Sequence, residues 1–266
     1  MTTFTRAIVR PFTRAIVRPP GPHFSDGLTT VDLGTPSYER ALQQHAAYCT
    51  ALRSCGLEVE VLPIDDSFPD STFVEDTAIL TDRCAVIARP GADSRRDEVA
   101  LIEQELRSNF REVRSIEEPG TVDGGDICEA GSHFFIGVSG RTNEAGAKQL
   151  ADILADYGYT SDLVDIRNVK NILHLKSGVA YLGEKQLVVI DKLASLPQFH
   201  GYELIQVHPS ENYAANCVVV NEQVLIAAGF PSFHEQLDRC GFKTICLEMS
   251  EFQKMDGGLS CLSLRF

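Results

Sequence analysis

The chain has 266 residues, of which 44% are apolar and 23% charged, enough to bury one large core or two modest ones in an ordinary globular protein. Its formal charge of −13 disfavours nucleic-acid phosphate as a partner, because affinity there comes from clustered Lys and Arg. No apolar run approaches the roughly 18 residues of a membrane span, no secretory h-region is present, and eight cysteines without a C-x-x-C pair make neither a zinc nor a disulfide framework.

That cysteine usage leads to an expectation of a reduced, cytoplasmic location. At the N-terminus, Phe-Thr-Arg-Ala-Ile-Val-Arg-Pro occurs twice in tandem, at 4–11 and 12–19, and only the second copy runs directly into the rest of the chain. Pro11, Pro19 and Pro20 would break the amphipathic helix of an organelle transit peptide. The expectation is therefore a redundant, poorly ordered tail over 1–11, a strand over 13–18, and a single domain over 12–266.

From Tyr38 to Cys55, apolar residues recur at Ala41, Leu42, Ala46, Ala47, Ala51 and Leu52, a helical period closed by Gly56. Residues 59–62 alternate as a strand. A pattern of strand, turn, second strand and often a helix then recurs. It reads as 73–80 with 85–90 and a helix over 95–110, then 126–129 with 133–137 and a helix over 143–157. The next instances are 172–182 with 186–191, and 216–220 with 224–227 and a helix over 232–240. A fifth instance is split between the chain ends. Residues 260–266 supply its first strand, and Arg14-Ala15-Ile16-Val17-Arg18-Pro19 resembles the second strand Ala85-Val86-Ile87-Ala88-Arg89-Pro90. The fold class is α/β: similar units whose last member is made by joining the termini form a closed ring and remove most free sheet edges, as propellers do.

Residues at equivalent strand ends of such a ring converge on its axis. They are Asp70, Glu75 and Asp76; Asp123 and Asp126; His174; Asn216; and Cys261. Acidic residues are depleted in strands, so Glu75-Asp76 and Asp123-Gly124-Gly125-Asp126 stand out, although a solvated strand start and an ordinary Gly-rich turn are the plain alternatives. For His174 the alternative is a satisfied core histidine. Cys261 lies between Gly257-Gly258 and the alternating Leu262, Leu264 and Phe266, which puts its sulfur at the mouth of a strand; the alternative is a small apolar core residue. A cysteine, a histidine and several carboxylates together fit catalysis by a thiolate with proton transfer through the imidazole. Acyl transfer needs hydrogen-bond donors around an oxyanion, whereas a cluster of acceptors suits a planar cation such as a guanidinium. Arg95 and Arg141, past second strands, are by default surface residues but can also hold a carboxylate bidentately. An amino acid with a guanidine side chain would use both sets.

Several motifs occur in a characteristic order: Phe68-Pro69-Asp70 with Phe73-Val74-Glu75-Asp76, Arg89-Pro90-Gly91-Ala92 with Ser94-Arg95-Arg96, and Asp123-Gly124-Gly125-Asp126. Arg141-Thr142-Asn143, Leu173-His174-Leu175-Lys176, Ala214-Ala215-Asn216-Cys217 and the Cys261 stretch follow. Taken together they resemble the dimethylarginine dimethylaminohydrolase family over about residues 12–266. The single motifs are weak and the ordered set is specific. The resemblance implies the pentein fold, a five-unit pseudosymmetric α/β propeller with the active site on its axis.

It also implies roles. Cys261 would be the nucleophile and His174 the general acid and base, oriented by Asp123, where some members of the family carry glutamate. Asp76, with Glu75 nearby, would hold the guanidinium, Arg95 and Arg141 the α-carboxylate, and Asp70 the α-amino group. Backbone carbonyls near Phe24 and Met255 would assist, with Phe24 standing where relatives have a leucine in the loop that covers the site. Attack by the thiolate would give a covalent thiouronium, and water would release citrulline. No metal and no organic cofactor is implied, although a thiol beside an imidazole can capture zinc as an inhibitor. The implied partner is a small guanidino amino acid; nucleic acid and membrane are excluded, and a homodimer is compatible.

Arginine deiminase is the nearest rival. Its pattern places an aspartate two residues after the histidine, where this chain has Lys176, and this chain lacks the length for the helical insertion of deiminases. Hydrolysis of citrulline's ureido group or of another small guanidine stays open. A non-catalytic ligand-binding propeller would require loss of the Cys-His-carboxylate set, which is present.

Overall fold

The computed structural model describes residues 11–266; the tail expected over 1–11 lies, apart from Pro11, outside the described residues. Ala15, Ile16 and Val17 are fully buried and form β1 (Arg14–Val17). α1 (Tyr38–Ser54) follows, capped by the Ser37 hydroxyl, which accepts from the Arg40 N–H at 3.4 Å. It ends before Gly56, whose φ of 91° suits the left-handed exit. β2 (Glu58–Val61) then returns parallel to β1.

The same plan recurs along the chain. β3 (Ala78–Leu80), β4 (Ala85–Ile87), α2 (Val99–Asn109) and β5 (Val113–Ser115) form one unit; β6 (Ile127–Ala130), β7 (His133–Val138), α3 (Glu144–Asp156) and β8 (Thr160–Asp165) form the next. In β9 (Val179–Gly183), β10 (Gln186–Ile190) and β11 (Glu203–Val207), two 3-10 turns, Asp191–Leu193 and Pro197–Phe199, replace the helix. β12 (Val218–Val220), β13 (Gln223–Ala227), α4 (Pro231–Arg239) and β14 (Lys243–Leu247) complete the series. The short α5 (Ser250–Gln253) then leads to β15 (Leu264–Arg265).

Among the described residues there are five three-stranded sheets. In each, the second strand is antiparallel to the first and parallel to the third. β15 is the first strand of the β1 sheet, with Ala15 opposite Arg265 and Ile16 opposite Leu264. The unit split between the chain ends therefore forms as the repeat pattern requires. Middle strands are buried on both faces, so alternate residues feed different cores. In β7, Phe134 packs beside Ile79, Val86 and Leu150, whereas Phe135 packs beside Val188, Phe199 and Ile205. In β1, Ala15 and Val17 face the α1 core and Ile16 faces Leu80, Ile102 and Leu264.

The structure corrects the expected elements in two ways. The third strands β5, β8, β11 and β14 are additional. They are edges with exposed or half-exposed polar and charged positions, and so give little apolar alternation to read. The first strands expected over 73–80, 172–182 and 260–266 are also shorter, because 74–77, 175–177 and 260–262 are 3-10 turns, and the one expected over 126–129 starts a residue later, after the turn at 124–126. Their polar side chains hydrogen-bond to neighbouring turns, and this competes with a strand ladder.

Ring closure rests on two residues of β15, and Leu264 is 4% exposed. Leu264→Ala should lower the free energy of unfolding by about 3 kcal/mol, as for other buried leucine truncations, seen as a lower urea midpoint at unchanged m. A midpoint equal to the parent's would show that β15 does not hold the ring shut.

Candidate active site

Each first strand is entered from a 3-10 turn, and the turns meet end to end: Val74–Thr77, Gly124–Asp126, Leu175–Ser177, Pro209–Ala215 and Ser260–Leu262. Hydrogen bonds link them in a closed circle. Gly125 N–H donates to Asp76 Oδ1 at 2.8 Å, and Leu175 N–H to Asp126 Oδ1 at 3.0 Å. Asn216 Nδ2 donates to the Lys176 carbonyl at 3.1 Å, and Ser260 N–H to Asn216 Oδ1 at 2.9 Å. The Ser260 hydroxyl returns to Glu75 Oε2 at 2.7 Å. The approach is close enough to demand glycine: a Cβ on Gly125 would stand 2.5 Å from His174 Nδ1, and one on Gly258 2.5 Å from Asn216 Cγ.

On one side of this circle a cleft gathers Cys261, His174, Asp123 and Asp76 with Asp70, Arg95, Arg141 and Met255. Cys261 sits on the 3-10 turn ahead of β15 and is 8% exposed; its sulfur accepts from the Gly258 N–H at 3.4 Å. His174 Nε2 is 3.0 Å from Asp123 Oδ2, while Nδ1 is turned toward Asp76 Oδ1 at 4.0 Å. Asp123 is itself fixed by the Gly91 N–H at 2.8 Å on Oδ1.

The electrostatics follow from burial among carboxylates. Burial alone would depress the His174 imidazolium, but Asp76, Asp123 and Asp126 outweigh it and raise the group from 6.5 to about 9. Burial pushes the Cys261 thiol up to about 12, with Glu75 and Asp76 adding to the rise against the Gly258 N–H and Lys176. For Asp76, burial would raise the carboxyl, but the His174 and Arg95 cations win and hold it below the usual carboxylate range. The cleft thus rests as a neutral thiol, an imidazolium and an ionised Asp76.

Three expectations for the cleft are corrected. Glu75 does not line it. Its Oε1 holds the Lys176 ammonium at 2.5 Å and its Oε2 the Ser260 hydroxyl, on the side where a second cavity lies against Glu75, Lys176 and Arg265. Adjacent residues of a 3-10 turn project about 120° apart, so Asp76 faces the cleft and Glu75 faces away. The Phe24 side chain does not line it either. It is 1% exposed in an aromatic cluster, 5.9 Å from the Phe73 ring and 5.5 Å from the Phe252 ring. Leu28 reaches the cleft instead, and its N–H donates to both Asp70 oxygens at 3.1 Å.

The third correction concerns Arg95, which is buried rather than forked toward a ligand. Nε and Nη2 serve Glu98, Nη2 also serves the Phe73 carbonyl at 3.1 Å, and Nη1 serves Asp76 at 2.6 Å. The second N–H on Nη1 is the donor these partners leave, one short of a bidentate grip on a carboxylate, and Arg141 lines the same cleft. Leu173, Asp256 and Gly257 complete the lining; Leu173 lay in the histidine motif and Gly257 in the glycine pair, whereas Asp256 carried no signal of its own. Asp76, Asp123 and His174 offer donor atoms within 4.8 Å of one another, a spacing a divalent ion could use, but it would have to displace Arg95 from Asp76 and the proton shared by His174 and Asp123.

Comparison with known proteins bears on the family and the fold. The profile of the family described as "N,N dimethylarginine dimethylhydrolase, eukaryotic" matches residues 35–206. The N(G),N(G)-dimethylarginine dimethylaminohydrolase of Pseudomonas aeruginosa is 46% identical over 91% of this chain and 94% of its own, and that of Streptomyces coelicolor 36% identical over 92% and 94%. A mutant of the Pseudomonas aeruginosa enzyme solved in complex with citrulline superimposes with a TM-score of 0.93 at 44% identity, covering 96% of this chain and 100% of that one. With this fold, this cleft and these relatives, the chain belongs to the dimethylarginine dimethylaminohydrolase family.

Proposed function

We propose that this chain hydrolyses Nω-methylated arginine to citrulline and dimethylamine or methylamine, with residues 12–266 as the catalytic unit and Cys261 as the nucleophile. The observation that carries the reading is a single cleft where the Cys261 thiol, the His174–Asp123 pair and an ionised Asp76 face a common space. The relatives point the same way: two are named for dimethylarginine, and one is solved with citrulline.

The roles follow from charge and geometry. A guanidinium entering beside Asp76 brings positive charge next to the carboxylates around Cys261 and so favours the thiolate; because His174 is already an imidazolium, the thiol proton passes to solvent. The thiolate attacks the guanidinium carbon to form a C–S bond. As the C–N bond to the methylated nitrogen breaks, the departing amine takes a proton from His174; since Nε2 is held by Asp123, Nδ1 is the nitrogen placed to give it. The product is a thiouronium on Cys261. Neutral His174 then accepts a proton from water, whose oxygen adds to the same carbon; the C–S bond breaks, the departing sulfur takes the remaining proton of that oxygen, and citrulline is released with the thiol and imidazolium restored. At the other end, Arg141 with the Nη1 N–H of Arg95 holds the α-carboxylate and Asp70 the α-amino group, with backbone carbonyls of the covering loop and near Met255.

Lys176 supports methylated arginine over arginine. The position from which a deiminase would offer a second carboxylate here carries an ammonium paired with Glu75 outside the cleft, and one gripping carboxylate leaves room for N-methyl groups. No helix among the described residues is long and apolar enough to cross a membrane, and all eight cysteines are free thiols, which supports a reduced, cytoplasmic setting.

Purified protein incubated with asymmetric dimethylarginine, monomethylarginine, arginine and citrulline should release dimethylamine and methylamine from the first two; ammonia from arginine with no amine from the methylated pair would refute the assignment. Cys261→Ser should lose turnover while keeping its circular-dichroism spectrum, and activity like that of the parent would remove Cys261 from its role. Rates should fall as pH rises past about 9, where His174 loses its proton. Because Asp123 helps to raise that value, Asp123→Asn should move the alkaline limb of kcat/KM to lower pH and slow turnover by roughly 10²-fold; an unmoved limb would separate Asp123 from His174.

A further inference from the structure

Glu98 stands behind Arg95, outside the cleft. It ends the 3-10 segment Asp93–Glu98 and is 2% exposed. Both its oxygens accept from the Arg95 Nε–H at 3.1 Å, and Oε2 also accepts from Nη2 at 2.8 Å. The Phe73 and Asp70 carbonyls at 3.1 and 3.4 Å take up the remainder of Nη2, and Asp76 takes Nη1 at 2.6 Å. Burial raises the Glu98 carboxyl against the opposing pull of Arg95, while Glu98 is the leading influence that raises Arg95 against its own burial. Arg18, fully buried, lies in the field of the same carboxylate.

This arrangement fixes a guanidinium plane. Asp76 alone would act as a pivot at Nη1, about which the group could turn; the grip on Nε and Nη2 prevents that. We infer that Glu98 is a positioning residue that holds Arg95 so that a single Nη1 N–H meets the α-carboxylate of the substrate, making the site select amino acids over methylated guanidines lacking that carboxylate. The inference rests on the methylarginine hydrolysis proposed above. Glu98 touches neither substrate nor reacting atoms in that reading. Its effect passes through Arg95 and should appear in binding rather than in chemistry.

The test compares asymmetric dimethylarginine with asymmetric dimethylagmatine, the same guanidine without the α-carboxylate. In Glu98→Gln, KM for dimethylarginine should rise about tenfold, the equivalent of one charged hydrogen bond, with kcat within about threefold. The kcat/KM for dimethylagmatine should stay within about twofold, so discrimination between the two falls. Equal losses on both substrates, or an unmoved KM for dimethylarginine, would overturn the inference. If Glu98→Gln does not fold, Arg95→Met/Glu98→Gln, which leaves neither member of this pair charged, is compared with Arg95→Met. Equal KM values support action through Arg95, and a further tenfold rise excludes it. Failure of the unaltered chain to turn over dimethylarginine would overturn both readings, whereas turnover with KM unmoved in Glu98→Gln would overturn this one alone.

Discussion

The circle of hydrogen bonds joining the five 3-10 turns is the constraint on which the rest depends. Each sheet starts at one of these turns, and each turn is tied to the next by a side chain that is itself buried: Asp76, Asp126, Asn216, Ser260 and Glu75. Buried backbone donors have to be paired, and here the pairing partners come from neighbouring units rather than from a ladder. Local strand ends thereby become a closed assembly. The same contacts decide where Cys261 and His174 sit, because Cys261 follows Ser260 and Leu175 follows His174. Each of these neighbours is fixed through its main-chain N–H, so the reactive side chains inherit their positions from backbone that is already clamped.

Closure concentrates carboxylates near the axis, and their mutual repulsion in a poorly solvated interior has to be offset. The ring meets this with cations on both sides. Arg95 pairs with Asp76 and Glu98, His174 with Asp123, and Lys176 with Glu75. Buried pairs of this kind contribute little net stability compared with an apolar packing, but they fix direction. On the cleft side the balance leaves the imidazolium charged and the thiol protonated, a resting state that an incoming cation disturbs. On the far side the Glu75–Lys176 pair, with the Ser260 hydroxyl on the same carboxylate, stands between the cleft and the second cavity.

Much of this was legible along the chain. The repeated apolar strands, the match between the N-terminal segment and 85–90, and the split unit follow from local alternation, which needs no partner to be visible. Gly124 marked the place where its backbone meets that of Glu75, and Gly125, Gly257 and Gly258 the places where the side chains of His174, Phe73 and Asn216 press on the main chain. The edge strands were less visible because a half-exposed strand alternates with charges, and the 3-10 turns because their geometry is dictated by acceptors in other units.

By itself the sequence determined which chemical groups reach the axis and in what order, since a strand-end position repeats with the unit that carries it. Only the tertiary structure decided which way each group points. Asp76 and Glu75 are neighbours in sequence, yet the 3-10 turn sends one to the cleft and the other to Lys176. Arg95 carries the fork expected of a carboxylate binder, yet Glu98 and the Phe73 carbonyl occupy most of it. Phe24 starts the covering loop, yet its ring is drawn into the Phe73 and Phe252 cluster, and Leu28 reaches the site. In each case the direction of a side chain is set by a partner far away in sequence, which exists as a neighbour only once the ring has closed.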